Sequence, residues 1–457
     1  MNTKNWASVD VNSVPKIVTP QLPGPKSVEY HNRCANYMKG YSSQVKLFPV
    51  VFDSGFGYTL TDVDGNTYID FSSGIYVTGL GHCHPKISEA VAQHAKQLMN
   101  CHDFTTKVKM ELMEKLHEIT GGRFGGFQLY DSGTTAVEAG LRCARAATGK
   151  SEFFSFWRDF HGKTLGSNSL AVVGVDTHMR APGFFLAPRP NPYRDVFGRS
   201  KEEAMKDSTP YIKMLEGMLD NEASCGGQNV AAIVLEPIQG WGGSVVPSDD
   251  YLPAIRELCD RRGILLFADE VLCCMARTGS WLAMDHWNVT ADITTLGKGF
   301  GNGFPVTALA VSKDLAPAIE KISASSSYGG NPMACAAALE SIKVIEEENL
   351  NERSAHLGEI MLAKMEKIKE AHPIVGDVRG KGCLLAMEIV RDRETKEPFV
   401  EAGQKIYQKA FSKGLAWVPS GHILRLSPPM ILDDEVALKG LDIIEDAVAE
   451  TEKELGY

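Results

Sequence analysis

Short apolar runs recur through the middle of the chain, and longer amphipathic stretches separate them. Uninterrupted apolar runs are typical of strands that are buried on both faces of a parallel sheet. Helical spacing between such runs indicates βαβ units. We therefore predict a mostly parallel sheet covered by helices between about residues 126 and 312, with strands at 127–130, 152–156, 231–235, 264–268, 293–296 and 306–311.

The two ends of the chain have a different pattern. Residues 1–50 carry prolines at positions 15, 20, 23, 25 and 49 and are predicted to be an irregular arm. Residues 182–212 are predicted to be a surface loop plus a helix, and residues 56–71 a β-hairpin. After about residue 350, amphipathic helices and short strands predict a smaller α+β unit. The predicted division is an N-terminal arm with part of the small domain (1–80), a large domain (81–349) and a C-terminal small domain (350–457).

Composition narrows the range of partners. A net charge of −10 argues against nucleic acid or an anionic membrane as the main partner. No apolar run reaches about 18 residues, so no transmembrane helix is predicted, and the polar N-terminus lacks the apolar region of a signal peptide. Ten unevenly spaced cysteines without a CxxC motif favour reduced thiols in a cytoplasmic protein. No metal site is predicted, because His82-Cys83-His84 has no further ligands at zinc spacing.

Two of the predicted strands end at residues that carry chemistry. Asp269 follows one strand, and Lys298 follows another within Gly297-Lys298-Gly299. In open α/β sheets, ligands bind at the edge where the parallel strands end. A pyridine aldehyde cofactor needs a lysine that forms a Schiff base and a carboxylate that pairs with the ring nitrogen, so that the ring accepts electrons. Each residue alone has a simpler interpretation, a cap or turn former for Asp269 and a solvated loop residue for Lys298.

Further polar groups follow other predicted strands. Ser132-Gly133-Thr134 lies between a strand and a helix, where backbone N–H groups and the helix dipole hold a phosphate or merely form an N-cap. Glu236 and Gln239 follow a third strand. Phe160 offers a ring on which a flat cofactor stacks, or one that packs on the core. Arg425 lies inside an apolar strand and needs a partner there, either a substrate carboxylate or an internal ion pair.

Taken together, these stretches resemble the class-III branch of pyridoxal-phosphate-dependent aminotransferases, the 4-aminobutyrate and acetylornithine aminotransferase type. The resemblance covers about residues 20–450 and is highly specific as a set. The matching stretches are Asp62-Val-Asp-Gly-Asn-Thr-Tyr-Ile-Asp-Phe, Gly81-His-Cys-His-Pro, Ser132-Gly-Thr, Phe160-His-Gly-Lys-Thr, Glu236-Pro-Ile-Gln-Gly, Asp269-Glu-Val, Ala276-Arg-Thr-Gly, Leu296-Gly-Lys-Gly, Gly329-Gly-Asn-Pro and Leu424-Arg-Leu.

The resemblance implies an α/β fold of the pyridoxal-phosphate-dependent transferase fold type I, with a large domain built on a mostly parallel sheet and a smaller α+β domain. It implies pyridoxal 5′-phosphate as cofactor, Lys298 as the Schiff-base lysine and proton carrier, and Asp269 as the partner of the pyridine nitrogen. Phe160 and Val271 are expected to enclose the ring, and Gln239 to reach its phenolic oxygen. The full set of implied cofactor-binding residues is Ser132, Gly133, Thr134, Phe160, His161, Glu236, Gln239, Asp269, Val271, Lys298 and Ser327.

The same resemblance implies substrate contacts and an assembly. Arg425 is expected to bind the substrate α-carboxylate, with Tyr76 and Trp241 completing the substrate-binding set. Ser327 stands where the family usually has a threonine donated by the neighbouring subunit, which implies a homodimer with the active site at the subunit interface. Trp241 replaces an acid that in several members pairs with the carboxylate-binding arginine. The resemblance therefore does not extend to dual recognition of ω-amino acids and 2-oxoglutarate.

We predict an aminotransferase that moves an amino group from an amino acid or amine to a 2-oxo acid by a ping-pong mechanism. One alternative is an amino-acid racemase or epimerase on the same scaffold, since residues 22–26 and 182–194 resemble a subgroup that includes such enzymes. Another is a non-catalytic cofactor-binding protein. The presence of both Lys298 and Asp269 argues against that last interpretation.

Overall fold

The computed structural model of the chain describes residues 6–170, 180–221 and 227–457. The chain forms two compact units, one of Met1–Pro85 with Glu352–Tyr457 and one of Lys86–Asn351. The strands are β1 (Phe52–Phe56), β2 (Thr59–Asp62), β3 (Thr67–Asp70), β4 (Phe124–Tyr130), β5 (Glu152–Phe156), β6 (Phe184–Ala187), β7 (Val230–Leu235), β8 (Leu265–Asp269), β9 (Ile293–Leu296), β10 (Thr307–Ser312), β11 (Val375–Lys381), β12 (Leu384–Ile389), β13 (Leu415–Ala416), β14 (Val418–Ser420) and β15 (Ile423–Leu426). The helices are α1 (Pro25–Ala35), α2 (Ser43–Leu47), α3 (Ser73–Tyr76), α4 (Pro85–Gln97), α5 (Lys107–Ile119), α6 (Gly133–Thr148), α7 (Leu165–Ser169), α8 (Lys201–Ala204), α9 (Thr209–Asp220), α10 (Tyr251–Arg262), α11 (Ala316–Lys321), α12 (Pro332–Glu347), α13 (Leu350–Ala371), α14 (Val400–Ser412) and α15 (Asp434–Leu455).

The unit of Lys86–Asn351 is built on one sheet with the strand order β4-β10-β9-β8-β7-β5-β6. Strand β10 runs antiparallel to β4 and β9, and the other neighbouring pairs are parallel. Every residue of β7 and β9 is buried, as expected for apolar strands covered on both faces. The predicted mostly parallel α/β sheet is confirmed.

The direction of the strands positions the functional residues. Strands β7, β8 and β9 are parallel neighbours and end at Leu235, Asp269 and Leu296. Glu236, Asp269 and Lys298 therefore lie along the same edge of the sheet. Strand β4 also ends at this edge, because both β4 and β9 are antiparallel to β10. The start of α6, which follows β4, is thus brought to the edge that carries the acid and the amine.

The other unit joins both ends of the chain. Its sheets have the orders β1-β2-β3-β13 and β11-β12-β15-β14. Strand β13 from the C-terminal part pairs in parallel with β3 of the predicted hairpin. The prediction that residues 1–50 form an irregular arm is wrong in part, because this stretch contains α1 and α2. Pro25 is well suited to the first turn of α1, and the Asp64 carboxylate accepts N–H bonds from Lys26 and Ser27 at 2.9 and 2.8 Å.

A second correction concerns the segment predicted as a loop plus a helix. Residues Phe184–Ala187 form β6, an edge strand that pairs in parallel with β5. Prolines and charges on both sides of this short apolar run hide it in the sequence. In the described part of the chain, no helix combines the length and apolarity that a membrane crossing requires.

Gly140 is buried where α6 packs on β8. A Cβ at this position would lie 2.5 Å from Cε1 and Cζ of Phe267, and both residues are fully buried. We expect Gly140→Ala to lower the free energy of unfolding by about 1–3 kcal/mol through overpacking, although alanine favours a helix by about 1 kcal/mol. Denaturant titration of both proteins measures this change.

Gly217 in α9 provides the matched control. It is exposed, and no described atom lies within 4 Å of an added Cβ. Gly217→Ala should therefore raise the free energy of unfolding by about 0.5–1 kcal/mol. Changes of the same sign in the two variants would contradict the tight contact between α6 and β8.

Candidate functional site

Lys298 is separated from the end of β9 by Gly297 and begins a 3-10 turn. Its backbone has a φ of +46°, in a left-handed region that costs most L-residues about 1–2 kcal/mol. Burial lowers the pKa of Lys298 below its ordinary value, and the carboxylates of Asp269 and Glu236 offset this only in part. A larger share of the amine is therefore neutral, which is the nucleophilic form.

Asp269 is the last residue of β8, and only 4% of it is exposed. Its Oδ1 accepts hydrogen bonds from Thr295 Oγ1 at 2.8 Å and from the backbone N–H of Val271 at 3.1 Å. Its Oδ2 contacts His161 Nδ1 at 2.8 Å. Three contacts thus fix the orientation of a buried carboxylate at the edge of the sheet.

His161 is buried between two acids. Its Nδ1 faces Asp269, while Nε2 lies 3.2 Å from Ser155 Oγ and 3.6 Å from Asp159 Oδ2. Burial alone would lower the pKa of His161, but the two carboxylates together outweigh burial and raise it to about 10. The imidazole is therefore protonated at neutral pH and donates to Asp269. The sequence predicts His161 as a cofactor-binding residue, and the structure places it against Asp269.

The N-terminus of α6 presents hydroxyl groups and backbone N–H groups. Ser132 is the N-cap, with its Oγ 3.0 Å from Thr135 Oγ1. Thr134 Oγ1 lies 2.7 Å from Thr164 Oγ1 and 2.6 Å from Ser167 Oγ. The sequence offered an N-cap and a phosphate site as alternative interpretations of this stretch. In the structure both involve the same helix end, and one does not exclude the other. Such an end is suited to an anion.

Val271 is where three of the predicted elements meet. A Cβ on Gly133 would lie 3.1 Å from Val271 Cγ1, and a Cβ on Gly297 would lie 2.9 Å from the same atom. Both positions therefore favour glycine, since larger residues would push the chain segments apart. The start of α6, the turn that holds Lys298 and the segment after Asp269 are packed around one side chain.

Phe160 and Trp241 form a pair of stacked rings. Their centroids are 5.8 Å apart and their planes differ by 29°. Glu236 fixes both segments, because its two oxygens accept N–H bonds from Phe160 and Gly240, each at 2.6 Å. Burial and the nearby charge of Asp159 raise the pKa of Glu236. These contacts make Glu236 a brace between the two segments.

Gln239 is held by polar groups that sequence reasoning missed. Its Nε2 donates to Trp157 O at 2.8 Å and to Asp159 Oδ1 at 2.5 Å, and these two bonds fix the orientation of the amide. Asp159 also forms an ion pair with Arg189 at 3.2 Å. Asp159 directly precedes the Phe160 motif, and this neighbourhood is the one sequence signal that points to it. Arg189 lies in the segment predicted as a surface loop, which gives no sign of its burial.

For three further predicted site residues, the structure shows the exposure and the immediate neighbours. Ser327 is exposed, and its carbonyl accepts a hydrogen bond from Asn100 Nδ2 at 2.9 Å. Tyr76 and Arg425 belong to the other compact unit, and each is 2% exposed. Tyr76 ends the turn α3 with a φ of +67°, and Arg425 on β15 is in register with Ala386 on β12. The roles of Ser327, Tyr76 and Arg425 stay predictions.

The residues at the sheet edge fit pyridoxal 5′-phosphate by their chemistry. An amine with a lowered pKa, on Lys298, suits the aldehyde. A buried carboxylate, on Asp269, suits the pyridine nitrogen. The helix start at Ser132 suits the phosphate. Each of the three functional parts of the cofactor therefore has a counterpart along one edge.

Comparisons with known proteins place these observations in a wider group. Residues 41–448 match the family profile described as aminotransferase class-III. The chain is 33% identical to a leucine/methionine racemase of Thermococcus litoralis over 90% of this chain and 93% of that protein. It is 35% identical to a 5-aminovalerate aminotransferase of Pseudomonas aeruginosa over 89% and 95%, respectively. It also resembles the crystal structure of a PLP-bound amine transaminase from an uncultivated Pseudomonas species, with a TM-score of 0.85, 30% identity and coverage of 91% and 98%.

Proposed function

Because the chain belongs to the class-III aminotransferase family, we propose residue-level roles for a pyridoxal-phosphate-dependent aminotransferase. The observation that carries the proposal is the Lys298 amine of lowered pKa at the same sheet edge as Asp269. Lys298 holds the cofactor covalently as a Schiff base and carries the proton to and from the amine-bearing carbon of the substrate. Asp269 keeps a proton on the ring nitrogen. When bound, the cofactor supplies the electron sink for the bond that breaks.

The remaining residues position the cofactor and the substrate. Ser132, Gly133 and Thr134 bind the phosphate through N–H and hydroxyl groups. Phe160 and Val271 cover the two faces of the ring, and Gln239 faces the phenolic oxygen. For the substrate, we propose that the fork-shaped guanidinium of a buried arginine binds the α-carboxylate, with two aromatic residues shaping the pocket. These three residues are Arg425, Tyr76 and Trp241.

The substrates are an amino acid or amine as donor and a 2-oxo acid as acceptor. We also propose a homodimer in the cytoplasm, in which Ser327 is donated to the active site of the neighbouring subunit. An exposed apolar surface near Ser327 supports the dimer: Met99 is 62% exposed, Phe104 80% and Tyr328 68%. The Asn100–Ser327 hydrogen bond joins the two segments that carry these side chains. Sedimentation of the wild type and of Tyr328→Asp tests the assembly, and an unchanged dimer in the variant would argue against this surface.

A second candidate, an amino-acid racemase, is favoured by one observation. A relative that matches over nine-tenths of this chain is a leucine/methionine racemase. Racemisation would use the same Lys298 and Asp269, but the proton would return to the substrate carbon from the opposite face. The candidates therefore differ in where the proton goes and agree on the cofactor and the lysine.

A single-turnover experiment separates the two candidates. The purified holoenzyme is mixed with single amines and amino acids in deuterated water, without an oxo acid. An aminotransferase converts its visible band to the pyridoxamine form and releases an oxo product. A racemase keeps its visible band, while the α-proton exchanges and optical rotation is lost. A protein that shows no visible band after addition of pyridoxal phosphate would overturn the role of Lys298.

A further inference from the structure

Asp159 is a fully buried acid three residues after β5. Its surroundings make it an anion: burial alone would raise its pKa, but Arg189, His161 and Gln239 together lower it. Arg189 is itself 4% exposed and also donates to the carbonyls of Glu236 and Pro237, at 2.5 and 3.2 Å. The ion pair is therefore anchored to the backbone that follows β7.

One contact of Asp159 leads to the acid proposed for the ring nitrogen. Its Oδ2 lies 3.6 Å from His161 Nε2, and His161 Nδ1 lies 2.8 Å from Asp269 Oδ2. The first distance is that of an ion pair and the second that of a hydrogen bond. A protonated His161 lies between the two acids, so its position and charge depend on both.

The other contact leads to the residue proposed for the phenolic oxygen. Asp159 Oδ1 accepts a hydrogen bond from Gln239 Nε2 at 2.5 Å. This bond and the one from Nε2 to Trp157 O together fix the orientation of the Gln239 amide. The ring nitrogen and the phenolic oxygen are two separate polar groups of the cofactor ring, yet their proposed partners share one carboxylate.

We propose that Asp159 is a positioning residue for the partners of both polar groups of the cofactor ring, Asp269 through His161 and Gln239 directly. This inference rests on the proposed function, because it uses the roles of Asp269 and Gln239. Moving or neutralising Asp159 should disturb both polar groups of the ring together. Changing His161 or Gln239 should disturb one group each.

Two spectroscopic measurements on the holoenzyme test the proposal. The first is the ¹⁵N chemical shift of the ring nitrogen after loading with ¹⁵N-labelled pyridoxal phosphate, which reports the protonation of that nitrogen. The second is the visible absorption maximum, which responds to the environment of the phenolic oxygen. We expect His161→Gln to move the ¹⁵N shift, Gln239→Met to move mainly the absorption maximum, and Asp159→Asn to move both. In His161→Gln, the ratio of protonated to neutral ring should fall by about tenfold, which corresponds to one pKa unit.

Ser155→Ala is the matched control. Ser155 contacts the same His161 Nε2 at 3.2 Å but carries no charge, so its removal should leave both measurements close to those of the wild type. Asp159→Asn leaves the charge of Arg189 buried without its partner and risks misfolding. Asp159→Glu keeps that ion pair and displaces the carboxylate by one methylene, so it too should move both measurements.

The outcomes separate this inference from the proposed function. Unchanged spectra in Asp159→Glu and in any folded Asp159→Asn would overturn the inference but would not contradict the proposed function. Shifts of equal size in Ser155→Ala would also overturn it, since they would show a general packing effect. A wild-type protein that does not bind pyridoxal phosphate covalently would instead overturn the proposed function.

Discussion

Lys298→Ala should abolish turnover, with a loss of up to about 10⁴-fold, the upper range for a positioned general acid–base group. The pKa of this amine is lowered by burial, so a larger share of it is the neutral form that acts as nucleophile and base. Alanine removes the amine. The measurement is steady-state transamination, together with the visible spectrum after loading with pyridoxal phosphate. The variant should bind the cofactor without the band of the lysine-linked form.

A surface lysine gives the control for this prediction. Lys313 is exposed after β10, and Lys313→Ala should keep the wild-type spectrum and rate. If Lys298→Ala retained the visible band, another amine would hold the cofactor. If it lost the band but kept its rate, the covalent link would be dispensable and the proton would have another carrier.

The sheet was predictable because its apolar runs are uninterrupted. Strands β7 and β9 are buried at every residue, and such strands stand out from amphipathic helices by composition alone. Strand β6 was missed, since it is a short strand at the edge of the sheet and its apolar run lies among prolines. Helix α1 was missed because its capping carboxylate, Asp64, comes from a turn far along the chain.

Some residues of the candidate site were likewise predictable from the sequence, and others were not. Asp269 and Lys298 could be found from the sequence because each ends an apolar run, and the order of parallel strands then brings them to one edge. Asp159 and Arg189 could not be found from the sequence, since their contacts join residues that are far apart along the chain. Glu236 shows the difference most clearly. Its position after β7 was predictable, but its two backbone partners at Phe160 and Gly240 were not, and its role as a cofactor ligand stays a prediction.

Trp241 departs from the family pattern, and the structure shows which aromatic ring its side chain contacts. The sequence says only that an indole replaces the usual acid. In the structure, its ring stacks on Phe160, the ring proposed to cover one face of the cofactor. Two stacked aromatic rings thus stand where the pattern would put a charge.

Asp269→Asn should lower turnover by about 10²- to 10³-fold, or about 2.7–4 kcal/mol, the range for loss of one preorganised electrostatic group. An amide cannot keep a proton on the ring nitrogen, so the ring becomes a poorer electron sink. The hydrogen bond from Thr295 and the size of the side chain are retained. Steady-state rates and the ¹⁵N shift of the bound cofactor measure the change. Asp314→Asn, at an exposed position, is the matched control, and a variant of Asp269 with a protonated ring would contradict the assignment.

The same substitution should change how stability depends on pH. The pKa of His161 is raised to about 10 by two carboxylates, against about 6.5 for an unfolded chain. Its contribution to stability is therefore fully present below about pH 6.5 and is lost as the pH rises towards 10. Asp269→Asn removes one carboxylate, so the pKa of His161 falls and the loss ends at a lower pH. Thermal midpoints of the cofactor-free wild type should decline more steeply than those of the variant between about pH 6.5 and 10. Parallel curves would mean that His161 is not a protonated bridge between Asp159 and Asp269.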